Sequence, residues 1–368
     1  MRRATLVATV LLVTIGGADS RAQVTDDMRA DLSSGMTNDL KALAVNTPVW
    51  LAQHLPAIMP ASGHGTGIEL NDDAGGFMIG IPVKIGLMNN FHSIGYGGSL
   101  LEFDEKVPTD LPWPQLGLVL GVGLGSGVEL SLEGIFIPEV DIAAGKNITV
   151  TTALVTAALS LRVRLNDADG GMPAFTLGLG GSYYYGLMKI GAGYRSEYST
   201  QLEGQTVTGV YQVETAPRMF WHLFQANLEL RAAWTVGIWR PYLGIGLDFN
   251  FGEVTSDFNI NARADITSVA GQPVNENVAT TSEKVGFTAE PALFTARPLV
   301  GMDFVIGIFA ITLQVDLAVM TAQPLDADLG GAAGSFASTD GNVLYNQASA
   351  GTTTNYALVG TLAIRFQI

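Results

Sequence analysis

The stretch YALVGTLAIRFQI, residues 356–368, decides the fold of this chain. Every second residue from Tyr356 to Ile368 is apolar or glycine, and the residues between them are smaller or polar. Successive side chains of a β-strand point to opposite faces, so this period of two predicts a strand with one apolar face. An aromatic residue, Phe366, belongs to that face and stands two residues before Ile368.

The same alternation recurs along most of the chain. Its further segments are 77–87, 115–124, 128–136, 152–164, 175–185, 224–234, 242–251, 294–306 and 309–317. With the terminal segment they predict about ten strands. The stretches 187–214 and 254–290 alternate as well, which leaves twelve or fourteen strands open, although we expect these residues to lengthen existing strands.

The composition indicates what surrounds these strands. Hydrophobic residues make up 48% of the chain, yet after residue 22 we find no apolar run of about 18 residues, the length that a membrane helix needs. Interleaved apolar residues are typical of transmembrane strands, and hydrocarbon admits strands only as a closed barrel. A secreted β-sandwich is the alternative, but its exposed rows would be rich in Lys, Glu, Thr and Ser. Here those rows are rich in Gly and Ala, which predicts an all-β membrane protein, an antiparallel transmembrane β-barrel.

The lengths of the connections predict the topology. Short turns near 125–127, 166–171, 237–239 and 307–308 alternate with long stretches at 89–114, 138–148, 186–219, 253–291 and 321–354. Outer-membrane barrels alternate short periplasmic turns with long extracellular loops in this way. We therefore expect an even strand number, with both termini on the periplasmic side.

The N-terminal residues predict export. Met1-Arg2-Arg3 precedes a twelve-residue apolar core, and Ser20-Arg21-Ala22 offers small residues for cleavage. Residues 1–22 are therefore predicted to be a signal peptide with Gln23 as the first mature residue, or with cleavage after Ala18. The chain has no cysteine, which excludes disulfides and a lipid-anchored cysteine. The predicted location is the cell outer membrane.

Residues 23–61 follow a different period. Five apolar residues lie on one helical face: Met28, Leu32, Met36, Leu40 and Leu43. Pro48 is expected to interrupt this helix, with a second short helix at 49–55. We expect either a soluble periplasmic extension or a plug in the barrel mouth, followed by the barrel over residues 62–368.

Charged residues recur in the rows opposite the apolar ones. The candidates for the lumen are Glu129, Glu133, Arg162, Arg164, Glu229, Arg231, Arg240, Asp248, Arg297, Asp303, Asp316 and Arg365, and Lys84 lies in the same kind of row. These side chains either set the selectivity of a channel or pair with one another and fill a narrow lumen. Since residues 1–22 hold three Arg and one Asp, the mature chain has 16 basic and 33 acidic residues. That acidity argues against nucleic-acid binding.

Signals of catalysis are weak. The four histidines are His54, His64, His92 and His222, and none of them has a partner at the spacing of a known catalytic motif. The Asp pairs Asp72-Asp73 and Asp326-Ala327-Asp328 are not followed by further ligands at calcium-loop spacing. We expect no enzyme activity, no metal site and no cofactor.

The signal peptide, the helical lead-in, the alternating strands and the aromatic terminal strand resemble the outer-membrane β-barrel proteins of diderm bacteria. The segments 114–118, 128–138 and 241–246 resemble a group of uncharacterised barrels with a short helical N-terminal region. A more distant likeness is to the long-chain fatty-acid transporter family, whose barrels carry an N-terminal plug. This chain lacks the Asn-Pro-Ala motif of that family, and the count of about ten strands falls short of its fourteen, so no binding residues are carried over.

The resemblance implies outer-membrane lipid as a partner and a pore or transport function for small or hydrophobic solutes. The alternative is a non-conducting structural or adhesive barrel whose extracellular loops bind ligands. The terminal strand is then expected to be the signal that the barrel-assembly machinery reads. Its signal residues are Tyr356, Leu358, Leu362, Ile364, Phe366 and Ile368.

Overall fold

The computed structural model of the protein describes residues 24–59, 74–89, 110–145, 148–168, 171–215, 217–320 and 355–367. The predicted signal peptide and Ile368 lie outside these residues. One helix, α1 (Asp26–Ile58), precedes twelve strands. The strands are β1 (Phe77–Met88), β2 (Leu111–Gly125), β3 (Val128–Gly145), β4 (Ile148–Arg164), β5 (Ala174–Leu202), β6 (Gln205–Thr215), β7 (Arg218–Ala233), β8 (Trp239–Val269), β9 (Gln272–Ala289), β10 (Phe294–Ile306), β11 (Phe309–Met320) and β12 (Asn355–Gln367).

The strands form a closed antiparallel ring. Each strand pairs with its neighbours around the ring, and β12 closes the ring on β1 with the register from Met78↔Gln367 to Met88↔Ala357. β6 and β7 lie end to end along β5 and therefore occupy one position in the ring. Thr215, the last residue of β6, pairs with Ala192 of β5, and Arg218, the first residue of β7, pairs with Lys189 of β5. β9 and β10 likewise follow each other along β8. The ring thus has ten strand positions, which confirms the predicted ten-stranded barrel.

Two strands are broken where a proline removes a backbone donor. Pro217 precedes β7, and Pro291 stands between β9 and β10. A proline cannot donate to a ladder, so a break in the strand is the expected consequence. The stretches 187–214 and 254–290 lengthen β5 and β8 as expected, and they add β6 and β9 without widening the ring.

The outer face of the barrel is apolar and its inner face is closed. On β11 the outward residues Leu313 and Val315 are each 45% exposed, whereas Gln314 and Asp316, which alternate with them, are at most 2% exposed. The same contrast holds on β4, where Leu159 is 53% exposed beside the buried Ser160. The alternative of a soluble sandwich is wrong, because the sheet closes on itself and exposes its apolar rows.

β5, β6, β8 and β9 extend past the rest of the ring at the end opposite the short turns. We call this extension, residues 192–215 and 254–289, the finger. Its two tips, Glu203-Gly204 and Ala270-Gly271, have positive φ at both residues, as the tight turns of β-hairpins require.

Helix α1 begins at a capped N-terminus. The Thr25 hydroxyl accepts a hydrogen bond of 3.1 Å from the Met28 amide, and Asp26 and Asp27 lie in the first turn.

The helix runs through Pro48 and Pro56 to Ile58. The predicted interruption at Pro48 is therefore wrong. A proline costs a helix one hydrogen bond and a steric clash, and here the turns that follow Pro48 are held by packing against the barrel wall. In the described part of the chain, no helix combines the length and apolarity that crossing a membrane requires.

Candidate functional site in the barrel lumen

The lumen is divided into three tiers along the barrel axis. Nearest the short turns lies a set of buried charges that we call the charge layer. It consists of Lys84, Glu129, Glu133, Arg162, Glu229, Arg231, Asp248, Arg297, Asp303, Asp316 and Arg365. Alternating strand geometry puts all of these side chains on the inner face, where each is at most 5% exposed. Five of them are cations and six are acids, so the layer is close to neutral.

Ion pairs join the members of the charge layer. Lys84 Nζ lies 2.5 Å from Glu133 Oε1, Arg162 pairs with Glu129, and Arg231 pairs with Glu229. Arg365 Nη2 lies 2.8 Å from Asp303 Oδ2, and Thr312 donates to the other oxygen of that carboxylate. A buried charge without a partner costs much free energy, so these ion pairs allow the charged side chains to fill the lumen near the short turns.

Arg297 connects several acids. Its Nε donates to Asp248 Oδ2 at 2.8 Å and its Nη2 to Asp248 Oδ1 at 3.2 Å. Glu229 and Asp316 each lie 3.8 Å from the same guanidinium. Gln314 donates to both oxygens of Asp316 at 2.9 Å and accepts from the Tyr242 hydroxyl. The guanidinium thus forms the centre of the layer.

Two of the predicted lumen candidates lie outside the charge layer. Arg164 is half-buried and its Nη1 lies 3.4 Å from Asp167, a residue of the adjoining short turn. Arg240 is half-buried near the start of β8, opposite Asp303 of β10. Arg162, Arg164, Arg240 and Arg365 all lie toward the short turns, and Asp303 is the cross-strand partner of Arg240 and the ion-pair partner of Arg365. Arg162, Arg164 and Arg365 each contact a different acid.

Glycines make room for the large side chains of the lumen. Gly246 is the cross-strand partner of Arg297, and a Cβ on it would lie 2.5 Å from Arg297 Nη2. Gly301 is the partner of Tyr242 and is covered by the tyrosine ring. Pairing of a large side chain with a glycine on the next strand explains why the inner rows are rich in glycine, since ten strands leave little space inside.

Neutral polar side chains form the second tier, which we call the amide belt. Its residues are Gln115, Ser182, Tyr184, Gln225 and Asn250, all at most 6% exposed. Ser182 donates to the Tyr184 hydroxyl, which donates to Gln225 Oε1, each at 2.8 Å. Gln225 Nε2 donates to Asn250 Oδ1 at 2.9 Å. The belt separates the charges from the third tier.

The third tier is apolar. We call this tier the apolar chamber. Its wall consists of strand residues that include Met88, Trp113, Leu154, Met188, Met219, Trp221, Leu223 and Val254. The interior of a transmembrane barrel is usually polar, so a lining of methionines and tryptophans is unusual. Methionine is flexible and polarisable, which suits a wall that must adapt to different contents.

The C-terminal part of α1 fills the apolar chamber. Trp50, Leu51, Leu55, Ile58 and Met59 are at most 5% exposed and pack against the chamber wall. Gln115 Nε2 donates to the carbonyl of Ile58 at 2.6 Å, and Gln225 Nε2 donates to the carbonyl of Pro56 at 3.1 Å. The amide belt thus satisfies two of the carbonyls that the end of a helix leaves without a partner.

The other end of α1 lies on the finger. Val24, Met28 and Leu32 pack against the inner face of the finger, which includes Tyr198, Val207, Tyr211 and Phe258. Arg29 pairs with Glu276 of β9, and the Thr25 hydroxyl donates to Glu203 Oε2 at 3.1 Å. Burial and the Asp265 carboxylate raise the pKa of the Tyr198 phenol, so this finger residue stays protonated. One helix therefore joins the finger tip to the interior of the barrel.

Two histidines lie in the described residues. His54 of α1 is buried, with Nδ1 2.8 Å from the Trp50 carbonyl and Nε2 2.7 Å from Asn89 Oδ1. His222 lies on β7, where Nδ1 is 2.8 Å from the Tyr183 hydroxyl and the ring packs against Tyr185. His64, His92, Asp72-Asp73 and Asp326–Asp328 lie outside the described residues.

The residues proposed as an assembly signal follow the outer face of β12. Tyr356, Leu358, Leu362 and Ile364 are 40–54% exposed, and Phe366 is half-buried against Phe309 with the ring centroids 4.9 Å apart. Their role in assembly stays a prediction.

Sequence reasoning missed the amide belt and the apolar chamber as sites. Gln115, Gln225 and Asn250 stand in the rows opposite the apolar residues, but neutral amides in a strand carry no signal of their own. The signal that marks the chamber is the set of methionines and tryptophans at inward positions of the strand ends, such as Met88 and Trp221.

Comparisons with known proteins find similar structures but no similar sequences. No protein-family model matches it, and no curated protein sequence matches it. Among solved structures it is similar to a Pseudomonas aeruginosa FadL homologue, with 7% identity, 84% of this chain and 99% of that chain covered, and a TM-score of 0.31. It is also similar to the translocator domain of autotransporter NalP from Neisseria meningitidis, with 9% identity, coverage of 82% and 91%, and a TM-score of 0.30.

The CymD monoaromatic hydrocarbon channel is a third similar structure, with 9% identity, coverage of 89% and 98%, and a TM-score of 0.26. TM-scores in this range do not establish a shared function. The barrel architecture is therefore established by the strand pairing of this chain itself.

Proposed function

We propose that this chain is an integral outer-membrane β-barrel that takes up small apolar solutes, with the C-terminal part of α1 as a displaceable plug. The observation that carries the proposal is the apolar chamber in the half of the lumen away from the short turns. A barrel that serves as a water-filled pore would need a polar lining there. A lining of methionine, leucine and tryptophan suits an apolar solute instead.

Placement in a membrane is supported by the exposed apolar rows around the ring. Leu118, Leu132, Leu243 and Leu362 are 45–53% exposed on four different strands. In water such a continuous apolar surface would promote aggregation, whereas lipid solvates it. The short turns then face the periplasm and the finger faces the outside of the cell, in keeping with the usual topology of such barrels.

The plug must move for a solute to enter. A Cβ placed on Gly86 would lie 2.7 Å from Ile58 Cβ, so the wall and the last turn of α1 are already in contact. Pro48 lies between the part of α1 on the finger and the part in the chamber. Because a proline lacks the amide donor of a regular helical turn, it is the natural point for the inner part to bend away.

A disulfide between the plug and the wall tests the proposal. The protein has no cysteine, so Ile58→Cys with Gly86→Cys creates the sole pair. The 2.7 Å between the two Cβ positions is shorter than the roughly 3.8 Å of disulfides, and a small shift of the last helical turn provides the difference. In proteoliposomes, oxidation is expected to block uptake of the apolar dye N-phenyl-1-naphthylamine, and reduction is expected to restore it.

Each single-cysteine variant serves as the control and should transport in both redox states. Equal uptake by the oxidised and reduced double variant would contradict a displaceable plug. Planar-bilayer conductance adds a second test. The intact protein is expected to conduct ions poorly, because the charge layer and α1 fill the lumen, and a variant without residues 24–61 should conduct more.

The alternative is a non-conducting barrel that displays the finger at the cell surface. The finger favours it, since four strand segments extend past the ring and bury their inner face on α1. This alternative predicts no dye uptake in any variant, together with binding of a surface ligand that is lost when the finger is shortened. We propose no catalytic role for either form of the protein.

A further inference from the structure

Two buried tryptophans of the apolar chamber have no hydrogen-bond acceptor in the part of the chain that the structure describes. Trp113 on β2 and Trp221 on β7 are 0% exposed, and no acceptor among the described residues lies within hydrogen-bonding distance of either indole N–H. Trp50 of α1, which packs inside the chamber, differs from these two, since its indole N–H donates to the Asn89 carbonyl at 2.9 Å. Buried indole donors normally find a partner, so the two exceptions require an explanation.

The two rings cannot satisfy each other. Their centroids are 6.0 Å apart and their planes are inclined at 60°, in an edge-to-face arrangement. In that geometry at most one indole N–H points to the face of the other ring, and such a contact is weaker than an ordinary hydrogen bond. At least one of the two donors therefore has no acceptor among the residues that the structure describes.

The surroundings define which acceptor fits. The wall around the two rings is apolar, and the polar groups buried with it include the neutral amides of Gln115, Gln225 and Asn89 and the imidazole of His54. Among the described residues, the buried cations all lie in the charge layer, where Lys84 pairs with Glu133 and the arginines pair with other acids. An anion in the chamber would be desolvated without a counter-charge, which is strongly unfavourable.

The end of α1 shows the kind of group that the chamber accepts. The apolar side chain of Ile58 contacts the wall, while the neutral carbonyl oxygens of Pro56 and Ile58 accept from the two glutamines. An apolar body that carries a neutral oxygen acceptor would reproduce this combination, and it could in addition accept from Trp113 or Trp221.

We propose that the apolar chamber selects apolar molecules that carry a neutral acceptor oxygen, such as an ester, ketone or ether, and that Trp113 or Trp221 donates to this oxygen. The ligand takes the place of the last turn of α1. This inference rests on the proposed uptake of apolar solutes, and it adds the class of solute and the residues that select it.

Three probes of similar size test the selection. Propylbenzene has no acceptor, methyl benzoate has a neutral acceptor, and benzoate has a charged one. The mature protein in detergent micelles, with ¹⁵N-labelled indoles assigned by single Trp→Phe variants, is titrated with each probe. Methyl benzoate is expected to move the indole proton of Trp113 or Trp221 downfield. It should also bind about tenfold more tightly than propylbenzene, once partition into micelles is subtracted, as one buried hydrogen bond allows. Benzoate should bind most weakly.

Trp113→Phe or Trp221→Phe should remove the preference for methyl benzoate while propylbenzene still binds, since Phe keeps an apolar ring. Equal affinity for propylbenzene and methyl benzoate would overturn the inference and leave the proposed function intact. Strongest binding of benzoate, or water cross-peaks at both indole protons without a probe, would also overturn it. If no probe enters the chamber, the proposed function fails together with the inference.

Discussion

Arg297 and Asp248 form a two-point ion pair between β10 and β8, with both side chains completely buried. Asp248 lies on β8, the strand that pairs with the strand of Arg297. Gly246, two residues before Asp248, is the cross-strand partner of Arg297 and leaves the space that the guanidinium occupies. The pair therefore depends on the barrel being closed, because each partner is desolvated by the whole ring. The free energy of unfolding of the barrel therefore depends on this ion pair in the lumen.

Arg297→Met is expected to destabilise the folded barrel by about 3–5 kcal/mol, because it leaves Asp248 buried and without its main cation. Urea unfolding in detergent, followed by the shift in gel migration on heating, measures the change. The matched control is Lys189→Met, which removes an ion pair to Glu139 that is 34% and 58% exposed. It should cost no more than about 1 kcal/mol. A stability equal to the wild type for Arg297→Met would show that the pair is dispensable.

The ring of ten strands could be predicted from sequence because each strand repeats one signal. Leu313 and Ile364 alternate with polar or small residues, and a period of two places all members of one row on the same face. The pairing of Lys84 with Glu133 and of Arg365 with Asp303 required the register and tilt of the strands. The alternation in the sequence predicts that both partners of each pair face the lumen, but it does not predict which charges meet there.

The apolar chamber could not be predicted, because much of its lining falls in stretches that resemble connections, such as 89–114 and 186–219. Trp113 stands between Pro112 and Pro114, and prolines argue against a central strand. In the structure β2 nevertheless begins at Leu111, with both prolines on the outer face and paired to β1, while the described pairing to β3 starts at Gly117. The missing proline donors are thus tolerated where β2 has one neighbour. Met219, likewise, lies in a stretch that sequence assigned to a loop.

Gly186 is expected to tolerate no side chain. It is the cross-strand partner of Trp221, whose indole lies directly over it, with Nε1 2.7 Å from the position of a Cβ. Gly186→Ala should therefore push the indole into the chamber and destabilise the barrel by about 1–3 kcal/mol. Gly360→Ala is the control, since a Cβ there meets no atom within 4 Å. Near-ultraviolet circular dichroism and urea unfolding should change for Gly186→Ala alone, and equal effects of both variants would argue against the close packing.

His54 should make the docking of α1 sensitive to acid. Burial lowers the pKa of its imidazole below the ordinary value of about 6.5. The unfolded state then binds a proton more readily than the folded state, so the contribution of His54 to stability is present above about pH 6.5 and is lost as the pH falls through its lowered pKa. The difference in melting temperature between wild type and His54→Gln should thus change between pH 8 and pH 5. A constant difference would contradict a buried neutral imidazole.

Phe366 and Phe309 offer a matched pair for the assembly signal. Their rings pack edge to face, so Phe366→Ala and Phe309→Ala remove the same contact, worth about 0.5–1.5 kcal/mol. If the barrel-assembly machinery reads the terminal strand, Phe366→Ala should reduce the amount of folded barrel in cells several-fold more than Phe309→Ala, although both refold alike in detergent. Heat-modifiable migration of membrane fractions measures the folded amount. Equal losses in cells would mean that Phe366 contributes packing and no recognition.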